Sequence, residues 1–473
     1  MKEKKLFDAI SDVSDELVEE ARITKPAKRK WTWKQWTAAA CAVLLIGAAV
    51  AIPQLIKPDD QPAVSTSSGE AAIIGKDAGG KALLAVNYPR GYGSVVDDNP
   101  LDDAFLAAVD TFTYETTAQL FAGKDGNLNY SPLSLYYALS IAASGANGET
   151  ADELLGLLGV ADASELSAQC GNLYRRLYTD NPIGALQIAN SLWVDSEVNG
   201  TAIAIKDAFV QNAAENFYAS VHPVDFANAA AGEVMAQWVA DNTHGTLSPA
   251  FETDSAQILS ILNTVYFCDE WMDRFDKDMT ESGIFYGADG EEIPCDYMNS
   301  RYSSASFTQG DGFTRASLGL KNAGSMVFIL PDEGVSPYEL LSSPERMREA
   351  FESGEPVCGE VVWQLPKFGF GSALDMADAL KALGVNAAFQ TDADFSGITD
   401  STAFVSRIRQ ETHIAIDENG VEASAFTEIG YAGAAPPGGR AEMILNRPFI
   451  YGITAPGGQL LFVGVCANPS SAS

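Results

Sequence analysis

The rhythm of apolar and polar positions changes along the chain. Residues 1–35 alternate apolar and acidic positions at helical spacing through KLFDAISDVSDELVEEA, then gather Lys25, Lys28, Arg29 and Lys30 just before Trp31. From Trp36 to Ile56 the alternation stops. WTAAACAVLLIGAAVAIPQLI carries no charge and reaches the ~20 residues that cross a bilayer, predicting a transmembrane helix over 36–56. Residues 57–98 hold Asp, Gln, Ser, Gly and Lys around two weak apolar patches, Ala71–Ile74 and Ala82–Val86, and read as a flexible linker.

Residues 99–473 carry the patterns of one large α+β domain. Phe105, Val109, Phe112, Leu120 and Phe121 recur at helical spacing between Asp102 and Ala122, and Gly123 to Gly126 stops them. Ser131-Pro132 starts a helix too continuously apolar for a surface position; Gly145 and Gly148 break it, and Thr150 is expected to cap the next. Ala189–Trp193 reads as a strand, Phe209–Tyr218 as a helix leading into Val221–Phe226, and a further helix ends at Trp238–Gly245. Ile258–Trp271 is an apolar strand with one amide, Asn263, which needs partners if buried. Val361–Phe370 holds a strand ending at Pro366, Leu380–Phe395 opens as a helix closed by Gly384, and Ser406–Asp417 alternates. Met443–Thr454 and Leu460–Val465 flank Pro456-Gly457-Gly458 as a hairpin.

One stretch carries a conflict. In Asp417–Arg440, Val421, Ala423, Ala425, Thr427 and Ile429 fall on one side at period two, and Glu422, Ser424, Phe426, Glu428 and Gly430 on the other. That is a half-buried strand with small inward residues. Its continuation, Gly430–Gly439, is Gly, Ala and Pro with one Tyr, an exposed loop. Such a segment can be looped out in one state and paired in a sheet in another.

Composition narrows the function classes. The chain has 473 residues and is 47% apolar, ample for a packed core, and its net charge of -33 argues against nucleic acid or an anionic membrane surface as partner. Lysine and arginine before the apolar run, with Asp59 and Asp60 after it, put the N-terminus in the cytoplasm and the domain outside. The long N-terminal region favours an uncleaved signal-anchor at the cell membrane over a cleaved signal peptide; either one exports the domain. Of the six cysteines, Cys41 lies in the apolar run, and Cys170, Cys268, Cys295, Cys358 and Cys466 read as buried free thiols. The three histidines, His222, His244 and His413, have no metal-ligand spacing, and no metal or other cofactor is expected. A hydrolase reading meets no GxSxG, HExxH or Walker motif.

The segments Asn129-Tyr130-Ser131-Pro132-Leu133-Ser134, Gly145-Ala146-Asn147-Gly148-Glu149-Thr150, Ala189-Asn190-Ser191-Leu192-Trp193, Val224-Asp225-Phe226, Trp238 to Gly245, Leu365-Pro366-Lys367-Phe368 and Glu418-Asn419-Gly420-Val421-Glu422-Ala423-Ser424-Ala425 resemble, in order, motifs of the serpin family. The resemblance covers about residues 100 to 470. It implies an α+β serpin fold: a large central antiparallel or mixed β-sheet, additional sheets, about eight to nine helices and an exposed reactive loop. With the anchor, the chain is identified as a bacterial, membrane-anchored member, monomeric and not an enzyme. The family assigns Ser131, Ser134 and Asn263 to a polar cluster, the shutter, beneath strands that must part. Gln410 stands where members often carry a histidine, with His413 three residues on, and is expected to bond to Asn263 and the serines. Trp271 and Glu418 correspond to the breach, where the loop first enters the sheet.

The mechanism implied is suicide inhibition of a serine protease. The loop is cut, the segment from Gly420 inserts as a new middle strand, and the protease stays attached as a covalent acyl-enzyme. The inserting residues fit: Val421, Ala423, Ala425, Thr427 and Ile429 are small or apolar, Gly420 can bend, and Pro436 and Pro437 lie beyond them. Glu422, Ser424 and the bulkier Phe426 face outward. The family's usual register from Glu418 places the scissile bond at Ala434–Ala435, suiting elastase-like or subtilisin-like pockets. Tyr431–Ala432 and Arg440–Ala441 are alternative registers, and a non-inhibitory surface-binding module is the alternative function.

Overall fold

The computed structural model describes residues 72–76, 82–85, 95–198, 201–253, 257–322, 324–422 and 439–470. The apolar run 36–56 lies outside them, and no helix among the described residues is long and apolar enough to cross a membrane. Every element below belongs to one compact unit, Gly69–Ser473.

The stretch read as linker contains structure. Strands β1 (Ala72–Lys76) and β2 (Ala82–Ala85) pair antiparallel with Ile73 opposite Leu84, so the two weak apolar patches find each other. There follow α1 (Val95–Asp98), α2 (Asp103–Phe121), β3 (Leu128–Tyr130), α3 (Pro132–Ser144), α4 (Gly148–Leu158) and α5 (Ala163–Leu177). The middle of the chain forms β4 (Thr179–Asp180), β5 (Ala185–Asp195), β6 (Glu197–Val198), β7 (Thr201–Ala202), α6 (Asp207–Phe217), β8 (Ala219–Val224), α7 (Ala230–Asn242) and β9 (Leu259–Glu270). Next are β10 (Glu281–Tyr286), β11 (Glu292–Gly310), β12 (Phe313–Gly319), β13 (Ser325–Pro331), α8 (Pro337–Leu340) and α9 (Pro344–Glu352). Then come β14 (Val357–Pro366), β15 (Phe368–Asp375), α10 (Ala377–Ala382), β16 (Arg409–Ile416) and β17 (Gly420–Val421). The chain closes with β18 (Arg440–Ile444), β19 (Phe449–Thr454) and β20 (Leu460–Cys466). The described residues thus hold ten α-helices rather than the expected eight to nine. The excess comes from single turns such as α1 and α8, four residues each, too short to leave a periodic signal.

Two sheets dominate. A seven-stranded sheet runs β15-β16-β17-β9-β5-β4 with β8 parallel on β5, and a nine-stranded sheet runs β18-β14-β11-β12-β13-β19-β20-β3 with β10 on β11. Helix α3 packs against β5 and β9 of the first and β20 of the second, which is why its apolar residues run around the whole helix. Pro132 takes its first position and Ser131 Oγ accepts the Ser134 N–H at 3.3 Å, as the Ser-Pro start predicts.

Two local expectations are corrected. Helix α4 begins at Gly148 with Asn147 as its cap residue; Thr150 lies in the first turn, where its Oγ1 accepts the Asp394 N–H at 3.0 Å. Cys170 and Cys466 are buried, but Cys268 and Cys295 are half-buried and Cys358, at the exposed start of β14, is on the surface. All five are free thiols.

Candidate functional site

The hinge begins where β16 ends. Along β16, Gln410, Thr412, Ile414 and Ile416 point into the protein and the intervening residues outward. Asp417 then reverses the chain: its Oδ1 accepts the Asn419 N–H at 2.7 Å and its N–H donates to Gly420 O at 3.1 Å. The returning strand β17 pairs on both sides, Val421 opposite Ile416 of β16 and opposite Asp269 of β9, with Gly420 opposite Glu270. Val421, the first inward residue of the expected inserting segment, is 1% exposed. No side chain fits at Gly420, because a Cβ there would lie 2.1 Å from Asp269 O. Glu422, the last described residue before the loop, has φ 50°, its N–H on Ala415 O at 3.0 Å and its carboxylate 2.8 Å from His413 Nδ1.

Among the described residues, β16 and β9 are joined in the sheet through β17 alone. Below the hinge a narrow pocket between them is lined by Val265, Tyr266, His413, Ile414, Val421 and Glu422. Farther down, a cleft of about 310 Å³ opens between Ser260–Leu262 of β9 and Ser406–Arg409.

The breach residues meet at the top of this gap. Buried Trp271 donates its indole N–H to Asp417 O at 2.8 Å and its backbone N–H to Asn419 O at 2.9 Å, while the Phe275 N–H reaches Glu418 O at 3.0 Å. The Glu418 carboxylate, 5% exposed as a residue, accepts from Thr280 Oγ1 at 2.9 Å and from Lys367 Nζ at 3.1 and 3.2 Å. Burial pushes this carboxyl up, but bonds from its own backbone, Thr280 and Lys367 outweigh that and hold it below its ordinary value. Glu270 behaves likewise: burial raises it, and Arg274 and Lys321, each 2.6 Å away, bring it lower. Its neighbour Asp269 has no cation in contact among the described residues. Burial pushes that carboxyl up to about 6, against N–H donors from Asn322 and Glu270.

The residues that the resemblance assigns to the shutter form two connected halves. Ser134 Oγ donates to Asn263 Oδ1, Asn263 Nδ2 to Asn190 Oδ1, and Asn190 Nδ2 to Phe217 O at 2.7 Å, tying α3, β9 and β5 together. Gln410 does not reach Asn263. It grips the backbone of Ser131 twice, accepting its N–H and donating to its C=O, both at 2.9 Å, and so fastens β16 to the start of α3. Thr412 adds a bond to Asn129 O at 2.9 Å. The Ser131–Ser134 cap joins the halves.

Of the remaining expected residues, Ala423, Ser424, Ala425, Thr427 and Ile429, and the bonds Ala434–Ala435 and Tyr431–Ala432, lie outside the described residues. Arg440–Ala441 lies within β18: Arg440 pairs with Glu360 of β14 in a parallel ladder and binds its carboxylate at 3.2 Å, and Ala441 is 3% exposed. A bond held in a sheet is not presented as substrate. Sequence reading passed over Asn190, Thr280, Lys367 and the contact of His413 with Glu422. Lys367 had a visible signal, a lone cation between Pro366 and Phe368 at a strand break; its partner, 51 residues away, did not.

The chain matches the family described as serpin, serine protease inhibitor, over residues 107–469. Wheat serpin-Z2A is 31% identical over 371 residues, covering 72% of this chain and 90% of that protein. Bovine serpin A3-6 is 30% identical over 385 residues, covering 79% and 90%. The native state of tengpin, a thermophilic serpin, superposes with a TM-score of 0.70 at 25% identity over 81% of this chain and 97% of that one. With this match laid over two sheets, a buried helix and a hinge seated between strands, the chain belongs to the serpin family.

Proposed function

We propose that the chain is a suicide-type inhibitor of serine proteases that works by insertion of its cleaved loop between β16 and β9. The observation that carries this reading is β17, which already bridges the two strands, with Val421 buried and, among the described residues, no ladder between β16 and β9 below it. A segment cut beyond this point can continue the register that Gly420 and Val421 have begun. From Gly420 to Ala434 an extended chain reaches about 50 Å, enough to cross the domain.

In the proposed reaction the protease's serine oxygen adds to the carbonyl of Ala434. The Ala434–Ala435 amide breaks, its nitrogen leaves on Ala435 with the proton, and Ala434 remains esterified to the enzyme. Insertion then carries the ester away before water releases it. Backbone bonds and apolar burial gained only on insertion supply the driving force, so the starting fold is a kinetic trap. Small residues at the cut favour an elastase-like or subtilisin-like enzyme, whose pocket excludes larger side chains. Incubating residues 69–473 with an elastase and running a denaturing gel tests the reading. A covalent band containing both proteins is expected. Clean cleavage with fully active protease left over overturns it and leaves a surface-binding module.

The apolar run 36–56, with basic residues before it, supports a second proposal: a single-pass bacterial membrane protein with the serpin domain outside the cell. Mild proteolysis of intact cells should release the domain, and its retention overturns this topology.

A further inference from the structure

We propose that the cleft between β9 and residues 406–409 is a binding site for a small monocarboxylate with an apolar chain of about ten carbons, and that this ligand stands in the path of strand insertion. The site stands on its own lining; the obstruction rests on the insertion reading above.

At about 310 Å³ the cleft is the size of a small-molecule site, with room for about ten heavy atoms at the ~30 Å³ that a liquid water takes. Its apolar wall is built from Met235, Phe251 and Leu262, which belong to the cluster that seats α7 on the seven-stranded sheet, together with Phe404. Ile261 and Arg407 also line a smaller apolar space of about 20 Å³ beside Leu139 of α3, so the two spaces adjoin. An alkyl chain lying along this wall is withdrawn from water, and the wall with it.

The polar groups of the lining point to a carboxylate head. Ser260 is 9% exposed, and its hydroxyl makes no hydrogen bond to another described residue. A hydroxyl withdrawn from water without a partner is unfavourable, and this one can donate to a carboxylate oxygen. Arg407 and Arg409 bring the charge. Arg407 Nε stands 3.8 Å from Asp375 Oδ2 with both side chains more than half exposed, a loose pair, and Arg409 holds Glu411 through Nη2 at 2.5 Å. Each pair engages one nitrogen of a five-donor fork, which leaves N–H groups for a second carboxylate. Glu252, the carboxylate among the described lining, is exposed to solvent. In a chain of net charge -33 an anion is held where cations gather locally, as these two arginines do. A ligand seated between Ser260–Leu262 and Ser406–Arg409 lies on the line along which β17 would lengthen between β9 and β16.

The test titrates residues 69–473 with sodium decanoate by isothermal calorimetry. Beside the parent stand the double variant Arg407→Gln, Arg409→Gln and the single variant Ser406→Trp, whose ring would fill the cleft from an exposed position. Saturable binding of one decanoate per chain is expected, weakened about tenfold in the double variant and absent in Ser406→Trp. No saturable binding, or binding that both variants leave unchanged, overturns the site. Covalent complex formation with one elastase is then timed at a decanoate concentration about ten times the parent's Kd. It should slow about tenfold in the parent but only about twofold in the double variant, as their occupancies require. Equal slowing in both marks an action of decanoate on the protease and overturns the obstruction, as does no slowing in either. Should the parent form no complex even without decanoate, the insertion reading fails alone, and the site is judged by calorimetry.

Discussion

Glu418 shows how one side chain can hold the start of the loop. It is nearly buried, yet it stays ionised because Lys367 and Thr280 meet it. Glu418→Gln should cost about 1–2 kcal/mol, less than for a fully buried pair because Lys367 is 38% exposed as a side chain. The loss is measured as a lower melting temperature at neutral pH. Since the folded carboxyl lies below its ordinary value, this stability is present above the ordinary carboxylate range and is lost as pH falls through the folded value. Asp269 has the opposite sign. Raised from 3.8 to about 6 by burial, it makes the fold relatively more stable as pH drops from above 6 toward 4. The stability difference between Asp269→Asn and parent should therefore shift by about 2–3 kcal/mol across that window, favouring the variant at the alkaline end. Urea unfolding at both ends of the window checks it; a difference independent of pH refutes a carboxyl raised by burial. In the shutter, Asn263→Ala strips the partner from Ser134 Oγ and Asn190 Oδ1 and should cost about 2–3 kcal/mol by the same unfolding measurement.

At the scale of elements, β17 is the smallest strand with the largest consequence. Its seat between β16 and β9 depends on Gly420 having no side chain, since even a methyl would meet Asp269 O. Gly420→Ala should expel the hinge. Hydrogen exchange would then show protection lost at Gly420 and Val421 and kept along β5–β9, and retained protection would mean that the backbone at Asp269 can shift to make room. The period-two face beginning at Val421 predicts a strand, of which Gly420–Val421 lies within the described residues, and Gly420 marked the pivot. That the strand has already begun was not legible, because it depends on Asp417 closing the turn on Asn419 and Gly420 and on Trp271 taking Asp417 O and Asn419 O from another part of the chain. The same limit explains Thr150, a cap by local chemistry that is taken instead by Asp394, and Gln410, whose partner is the Ser131 backbone rather than Asn263. Helix α3 was legible as buried from its unbroken apolar content, and the hairpin of β19 and β20 from Pro456-Gly457-Gly458. The pairing of β1 with β2 escaped notice because each patch is too short and weakly apolar to stand out alone.

For the whole molecule, the consequence lies in what the seven-stranded sheet lacks. Among the described residues, the facing edges of β9 and β16 have no ladder between them below Val421, and the pocket and cleft along that line are space that a further strand would fill. Each backbone hydrogen bond gained there is worth about 0.5–1.5 kcal/mol net, so a full strand is worth roughly 10 kcal/mol before side-chain burial is added. An intact loop tethers the segment at both ends, to β16 through the Asp417 turn and to β14 through β18, where Arg440 and Glu360 hold the far root. Cutting between these anchors frees one end without disturbing either sheet. Cleavage alone, with no protease retained, should therefore raise the melting temperature well beyond the few degrees that a local change produces. Scanning calorimetry of intact and loop-cleaved protein decides the matter. If the cleaved form melts no later than the intact one, the gap between β9 and β16 is not the receptor for the loop, and insertion cannot be the source of inhibitory force.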